Sequence, residues 1–258
     1  MNNRNHSRCQ GVGELRLILY ATYTMTILRK GILIGLGFIL VGSAGLVSYN
    51  KWQKNKHVSL VSIGSQTYPI VVLGDSLAAG VGSSSTGTNF AGQILDKIRT
   101  KQSGATMYNL GLSGARIGDV RDGQVDQVAA LKPQIIFLII GTNDVIHSTG
   151  ENSFSSDYDS VIQTLSKQGV PIVVCNIPDF SLTPIIPSSL QHLADHQTGV
   201  FNGIIDDVIK NNSLVREFDF YTLSKTLLTN SVLISADGFH PNDAGYAQLA
   251  NSVWDYIQ

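Results

Sequence analysis

The sequence predicts an α/β fold, a three-layer α/β/α sandwich around a central parallel sheet, preceded by an apolar transmembrane helix near the amino terminus. Three observations carry this expectation. From Tyr68 onward, short runs of β-branched and apolar residues alternate with amphipathic stretches, the pattern of successive β-α-β units. Those runs are apolar along their length instead of alternating with polar residues, which suits parallel strands covered on both faces. Residues 31–49, GILIGLGFILVGSAGLVSY, are 19 positions without a charge, and about 20 apolar residues span a bilayer as a helix.

The amino-terminal sixty residues differ in composition from the rest. They divide into a cytoplasmic segment over 1–30, the apolar helix over 31–49 and a polar, lysine-bearing linker over 50–66; the remaining 67–258 form the α/β domain. Arg29-Lys30 abut the helix and place the large domain outside the cell, giving a single-pass cell-membrane protein. A cleaved signal peptide is the competing reading, with Gly42-Ser43-Ala44 as a small-x-small cleavage site and a secreted product. The apolar run continues past that site, which favours the anchor. Met25-Thr-Ile-Leu-Arg-Lys is also a more ordinary leader start than Met1.

The first strand is Tyr68-Pro-Ile-Val-Val-Leu, ending in Gly74-Asp75-Ser76-Leu77, where glycine frees the backbone to turn. Strands are predicted over 70–73, 106–110, 135–140, 172–176 and 214–218. Helices are predicted over 90–100, 119–131, 156–168, about 189–210 and 243 to about 256. Lys132-Pro133 and Gln168-Gly169 punctuate the ends of two helices, each just before an apolar run. Right-handed crossovers then make the layered sandwich the economical topology.

Composition removes several function classes. A formal net charge of −1 leaves no basic footprint for nucleic acid, so no nucleic-acid partner is expected. Only Cys9 and Cys175 are present, the second in an apolar strand, so no disulfide framework is expected. Oligomeric state is not legible.

Four loops hold candidate chemistry. Ser76 follows the first strand, Gly111-Leu-Ser-Gly-Ala115 the second, Gly141-Thr-Asn-Asp144 the third, and Asp237-Gly-Phe-His-Pro-Asn242 precedes the last helix. A parallel sheet brings its strand-end loops to one edge, where ligands bind. A serine hydroxyl is a weak nucleophile and needs an adjacent base, which His240 supplies; Asp237 can orient that base. An attacked carbonyl becomes an oxyanion, for which the N–H groups of Ser76 and Gly114 and the Asn143 amide are suitable donors.

These blocks, Gly74-Asp75-Ser76-Leu77, Gly114, Gly141-Thr142-Asn143-Asp144 and Asp237-x-x-His240, resemble in kind and order the four sequence blocks of the SGNH (GDSL) hydrolases. The resemblance covers roughly Tyr68 to the carboxyl terminus. It implies a flavodoxin-like sandwich and an esterase or lipase that needs no cofactor and no metal. It also implies Ser76 as nucleophile, His240 as base, Asp237 as its orienter, and Ser76, Gly114 and Asn143 as the oxyanion hole. The implied substrates are carboxylic esters, either small molecules or lipids such as lysophospholipids. An acyltransferase, a carbohydrate O-acetylesterase on envelope polymers and a non-catalytic binding module are the alternatives.

Other signals are weaker. No G-x-S-x-G elbow occurs, which disfavours a conventional α/β-hydrolase. Gly80-Val-Gly82 opens like a dinucleotide fingerprint, but position 85 is serine, and the loop reads as a flexible rim of the site. His192 and His196 have i, i+4 metal-ligand spacing but no H-E-x-x-H and no third ligand, so they read as a solvated helix face. His147 reads as a loop residue beside the site, and Asp144 as a turn residue bonding its own backbone. The proline-rich segment 178–189 offers Phe180, Leu182, Ile185 and Ile186 as an acyl-chain wall, with ordinary packing as the alternative.

Overall fold

A computed structural model describes residues 67–258; the predicted membrane segment and linker lie outside the described residues. Among the described residues, no helix is long and apolar enough to cross a membrane.

Five parallel strands form one sheet: β1 (Tyr68–Gly74), β2 (Ala105–Asn109), β3 (Ile135–Ile139), β4 (Ile172–Cys175) and β5 (Val215–Phe218), in the order β2-β1-β3-β4-β5. Burial explains why the central strands form from these residues. Ile70 to Leu73 and Ile136 to Leu138 have no exposed surface, so branched side chains fill both sheet faces. The edge strands β2 and β5 are only partly buried and carry polar residues.

Helices cover both faces. On one lie α2 (Phe90–Arg99) and α9 (Asp243–Ile257), which pack together, with α8 (Phe220–Leu227) beside α9. On the other lie α4 (Val125–Leu131), α6 (Glu151–Ser166) and α7 (Ser188–Ile209). Phe90 meets Phe137 edge-on at 5.7 Å between ring centroids, and Phe154 meets Phe201 at 4.6 Å, tying helices to sheet and to each other. This is the three-layer sandwich expected from the sequence. Its strand order reverses at β1, so the switch point lies between β1 and β3 at their carboxyl ends.

The five predicted strands and five predicted helices are present, with shifted ends. The helix expected from 156 begins at Glu151, after Gly150. The helix expected from 119 begins with α3 (Ile117–Asp119), where Asp119 Oδ2 accepts from Arg116 N–H at 2.8 Å. It passes through a wide π-turn (Val120–Gln124) before α4. Besides a 3₁₀ turn over Phe180–Leu182, three α-helical elements have no counterpart in the sequence reading. These are the single-turn α1 (Ser76–Ala79), α5 (Thr142–Ile146) inside the third block, and α8, which Asp219 caps by accepting from Thr222 N–H at 2.9 Å.

Candidate active site

Gly74 ends β1 in a conformation that a side chain would not tolerate. Its φ is 139°, and an added Cβ would lie 1.8 Å from the Ile139 carbonyl oxygen on β3. That close approach tucks the turn against the sheet. The Gln124 side chain brackets the same residue: Gly74 N–H donates to Oε1 at 2.8 Å, and Nε2 donates to the Gly74 carbonyl at 2.9 Å. Asp75 then caps α1, accepting from Leu77 N–H at 2.9 Å, and Ser76 emerges 8 % exposed at the first helical position. Gln124 lies fifty residues from Gly74 in the chain and offered no local signal.

The Ser76 hydroxyl donates to His240 Nε2 at 2.9 Å, and His240 Nδ1–H donates to Asp237 Oδ2 at 2.7 Å. The other Asp237 oxygen accepts three more bonds, from Ser235 Oγ at 2.7 Å, Phe239 N–H at 2.8 Å and His240 N–H at 2.9 Å. Burial alone would raise the Asp237 carboxyl, but the hydrogen bond and charge of His240 and the backbone donors outweigh it. They hold Asp237 well below the usual carboxylate range. An ionised Asp237 fixes the imidazole tautomer that leaves Nε2 free to accept the serine proton.

The loop bearing His240 is closed on itself. Ile234 bridges Pro241, Ser235 N–H donates to the His240 carbonyl at 2.9 Å, and Asn242 caps α9 through Ala244 and Gly245 N–H. The 80–88 loop braces it from outside. Ser84 N–H and Oγ donate to the two Asp243 oxygens at 2.7 and 2.6 Å, and the Tyr246 hydroxyl donates to the Val81 carbonyl at 2.7 Å. Gly82 lies so near that an added Cβ would stand 3.0 Å from His240 Cβ. The loop expected to be a flexible rim is therefore strapped to α9. Its serines gave no hint of a partner some 160 residues away.

Across from Ser76, Gly114 has φ 83° and is exposed, and Asn143 Nδ2 donates to the Ala115 carbonyl at 3.1 Å. That bond uses one amide hydrogen and leaves the other for a ligand. Among the described residues, the N–H groups of Ser76 and Gly114 donate to no protein acceptor. Ser76, His240 and Asp237 are thus joined directly by hydrogen bonds, and Gly114 and Asn143 stand on the neighbouring strand-end loops, which are tied to each other through Ala115 and to the end of β1 through Leu112 N–H and the Gly74 carbonyl. The arrangement can activate a hydroxyl and accommodate an oxyanion.

The remaining candidates divide. Phe180 is buried and packs edge-on against Phe239, with centroids 6.2 Å apart. Leu182 and Ile186 are half-buried. Ile185 is 39 % exposed, and its Cγ2 lies 3.2 Å from where a Gly238 Cβ would stand, beside the histidine loop. His147 donates through Nδ1 to the Asn143 carbonyl at 2.8 Å, and its ring is exposed. His192 and His196 lie on the exposed face of α7. Asp144 does not bond within its own turn by its side chain; its Oδ2 accepts from Ile117 N–H at 3.0 Å, across to another loop.

Two carboxyls lie beneath the site. Burial pushes Asp75 up to about 7, opposed by its Leu77 bond and reinforced by the charge of Asp144. Burial likewise pushes Asp144 up to about 6, against the Ile117 bond.

The sequence profile described as "GDSL-like Lipase/Acylhydrolase family" matches residues 72–248. The chain is 22 % identical over 208 residues to the uncharacterized protein YpmR of Bacillus subtilis, covering 73 % of this chain and 81 % of that one. Similar solved structures include an acetyl xylan esterase, AlAXEase, with TM-score 0.61 and 21 % identity, covering 74 % of this chain and all of that one. They also include the psychrotrophic esterase EstA of Pseudoalteromonas sp., inhibited by monoethylphosphonate, with TM-score 0.60 and 17 % identity over 73 % and 96 % of the two chains. A catalytic mutant of the acetylxylan esterase Axe2 of Geobacillus stearothermophilus scores 0.60 at 18 % identity, over 76 % and 96 %.

Proposed function

The chain belongs to the GDSL-like lipase/acylhydrolase family, the SGNH type of ester-bond hydrolase, and on that premise we propose that Ser76, His240 and Asp237 are its catalytic triad. The observation that carries this is the unbroken relay from Ser76 Oγ to His240 Nε2 and from His240 Nδ1 to Asp237, at 2.9 and 2.7 Å.

Ser76 Oγ attacks the ester carbonyl carbon while His240 Nε2 takes its proton. Asp237 stabilises the imidazolium that forms and stays ionised itself. The carbonyl oxygen becomes an oxyanion bound by the Ser76 and Gly114 N–H groups and the free Asn143 amide hydrogen. Collapse breaks the bond to the alcohol oxygen, which receives the proton from His240 and leaves. Water then attacks the acyl-Ser76 by the same route, releasing the acid and restoring the serine.

The substrate is a carboxylic ester, and the exposed Ile185 beside Gly238 supplies an apolar surface for part of an acyl chain. A panel of esters varied in acyl length and in alcohol, assayed with wild type and Ser76→Ala, tests this. Hydrolysis that depends on Ser76 is expected; activity retained by Ser76→Ala with unchanged folding contradicts the assignment. Transfer of the acyl group to added sugars or alcohols in place of water would identify a transferase.

Residues 31–49 anchor the domain to the outer face of the cell membrane, a reading that rests on their uncharged length. The 17-residue linker over 50–66 then has a root-mean-square span of roughly 20–25 Å, which keeps the site near lipid esters. The anchored protein should hydrolyse a membrane-resident lysophospholipid faster than a version starting near Val58, while both treat a small soluble ester alike. Equal rates on the lipid would contradict the tether and leave the triad untouched.

A further inference from the structure

Asn143 and Asp144 are neighbours on α5, and each holds a different atom of one facing segment. Asn143 Nδ2 donates to the Ala115 carbonyl at 3.1 Å, and Asp144 Oδ2 accepts from Ile117 N–H at 3.0 Å. The held segment begins directly after Gly114, and both its apolar residues, Ala115 and Ile117, are buried. Two of the three oxyanion donors therefore lie on loops from different strands, joined by this pair of bonds.

We propose that Asp144 is a positioning residue: by accepting from Ile117 N–H it locks the loop carrying Gly114 against the turn carrying Asn143 and so sets the spacing of two oxyanion donors. The inference rests on the oxyanion-hole reading given above.

The cost of this residue argues that it does more than fill space. Asp144 is fully buried, and its second oxygen has no hydrogen-bond partner among the described residues. The Thr149 hydroxyl, itself buried and without another partner, lies close enough to the carboxylate to favour its ionised form. A buried carboxylate with one satisfied oxygen is expensive, and an apolar side chain would fill the volume at less cost. What an apolar residue cannot do is accept from Ile117, the first N–H of α3, which otherwise has no acceptor in its own helix. Burial holds the carboxyl near 6, so at alkaline pH the bond is charge-assisted and short-ranged, suited to fixing a position. Oxyanion stabilisation is sensitive to such spacing, because the donors must meet an atom whose charge exists only in the transition state.

The test compares Asp144→Ala, Asp144→Asn and Asn143→Ala at alkaline pH, with 4-nitrophenyl acetate as substrate and phenylboronic acid as the tetrahedral probe. Asp144→Ala should lower kcat by about 30- to 100-fold with KM changed by less than about twofold, and should weaken boronate binding by a similar factor. Asp144→Asn keeps a neutral acceptor for Ile117 and should lose only about 3- to 10-fold in kcat. A purely structural role would lower the melting temperature and leave kcat per active site and boronate binding unchanged, and that result overturns the proposal. If Asp144→Ala does not fold, Asp144→Asn carries the test, and an unchanged kcat in it overturns the proposal. Asn143→Ala separates the two levels. A loss of about 10²–10³ in kcat there, with Asp144→Ala unaffected, defeats the positioning claim alone, whereas normal kcat in Asn143→Ala defeats the oxyanion-hole reading itself.

Discussion

Ser76 sits just past the carboxyl end of β1, whose last five residues are buried, with Gly74 pressed against β3, the Gln124 amide on both sides of that glycine and the buried Asp75 as its helix cap. His240 sits on a surface turn, braced by a half-exposed carboxylate and a strapped loop. The two groups meet at 2.9 Å, but one is placed by the core of the fold and the other by a short local network. The difference teaches where each kind of damage should appear. Injury to the backbone packing that places the serine should unfold the protein, and injury on the histidine side should leave a folded protein that does not work.

Gly74→Ala gives the largest effect. No side chain fits 1.8 Å from a backbone carbonyl oxygen, so the end of β1 must part from β3. A loss of about 4 kcal/mol or more is expected, with most of the soluble protein, measured by denaturant titration or yield. A Gly74→Ala protein as stable as wild type would break the comparison.

Asp237→Asn comes next, on the opposite side. Asparagine can still accept from Ser235, Phe239 and His240 N–H, so the loop should hold and the protein should stay folded, with a loss of stability well below that of Gly74→Ala. Its amide cannot accept the imidazole proton, and kcat should fall by on the order of 10³–10⁴-fold, by analogy with a serine-protease triad. A comparable loss of stability would mean that the loop, and not only the base, depends on the charge.

The two sides also respond oppositely to pH. Asp75 is raised in the fold from 3.8 to about 7, so its contribution to stability is present below pH 3.8 and is lost as pH rises through about 7. Asp237 is lowered, so its contribution is present above the ordinary carboxylate range and is lost on acidification. Asp75→Asn does not titrate. Relative to wild type it should gain about 2–4 kcal/mol between pH ~4 and ~8 in guanidinium unfolding. Parallel stability curves for the two proteins would contradict the assignment.

Gly82→Ala is the mildest case and sharpens the contrast with Gly74. Its added Cβ would lie 2.5 Å from the Pro241 carbonyl oxygen and 3.0 Å from His240 Cβ, on a loop tied to α9 by a few side-chain bonds and not built into the sheet. A kcat loss of about tenfold is expected with about 1–2 kcal/mol of destabilisation, read by ester kinetics and thermal melting.

The same contrast governs what the sequence could reveal. The serine edge was legible because a fully apolar run ending in Gly-Asp-Ser carries both the strand and its chemistry in adjacent residues. Asp237-x-x-His240 was legible for the same reason of closeness. Gln124 on Gly74, Ser84 on Asp243 and Asp144 on Ile117 were not, since each is a polar pair separated by 27 to 159 residues with no periodicity to announce it. The helix α8 has no counterpart in the sequence reading although Asp219 and Thr222 form an ordinary cap, because eight residues just past the strand at 214–218 carry too short an apolar face to stand out. Phe180, read as an acyl wall, is also apolar in the way a core residue is, and sequence cannot separate the two uses.

The central claim is that His240 activates Ser76 as a nucleophile at the meeting point of these two regions. A fluorophosphonate probe reacts with such a serine and leaves its phosphorus on the hydroxyl oxygen, so peptide mass mapping after labelling tests the claim directly. The account predicts stoichiometric modification of the peptide containing Ser76, abolished in Ser76→Ala and strongly slowed in His240→Ala, with both variants folded. Labelling at another serine, or undiminished labelling of Ser76 without His240, would contradict it.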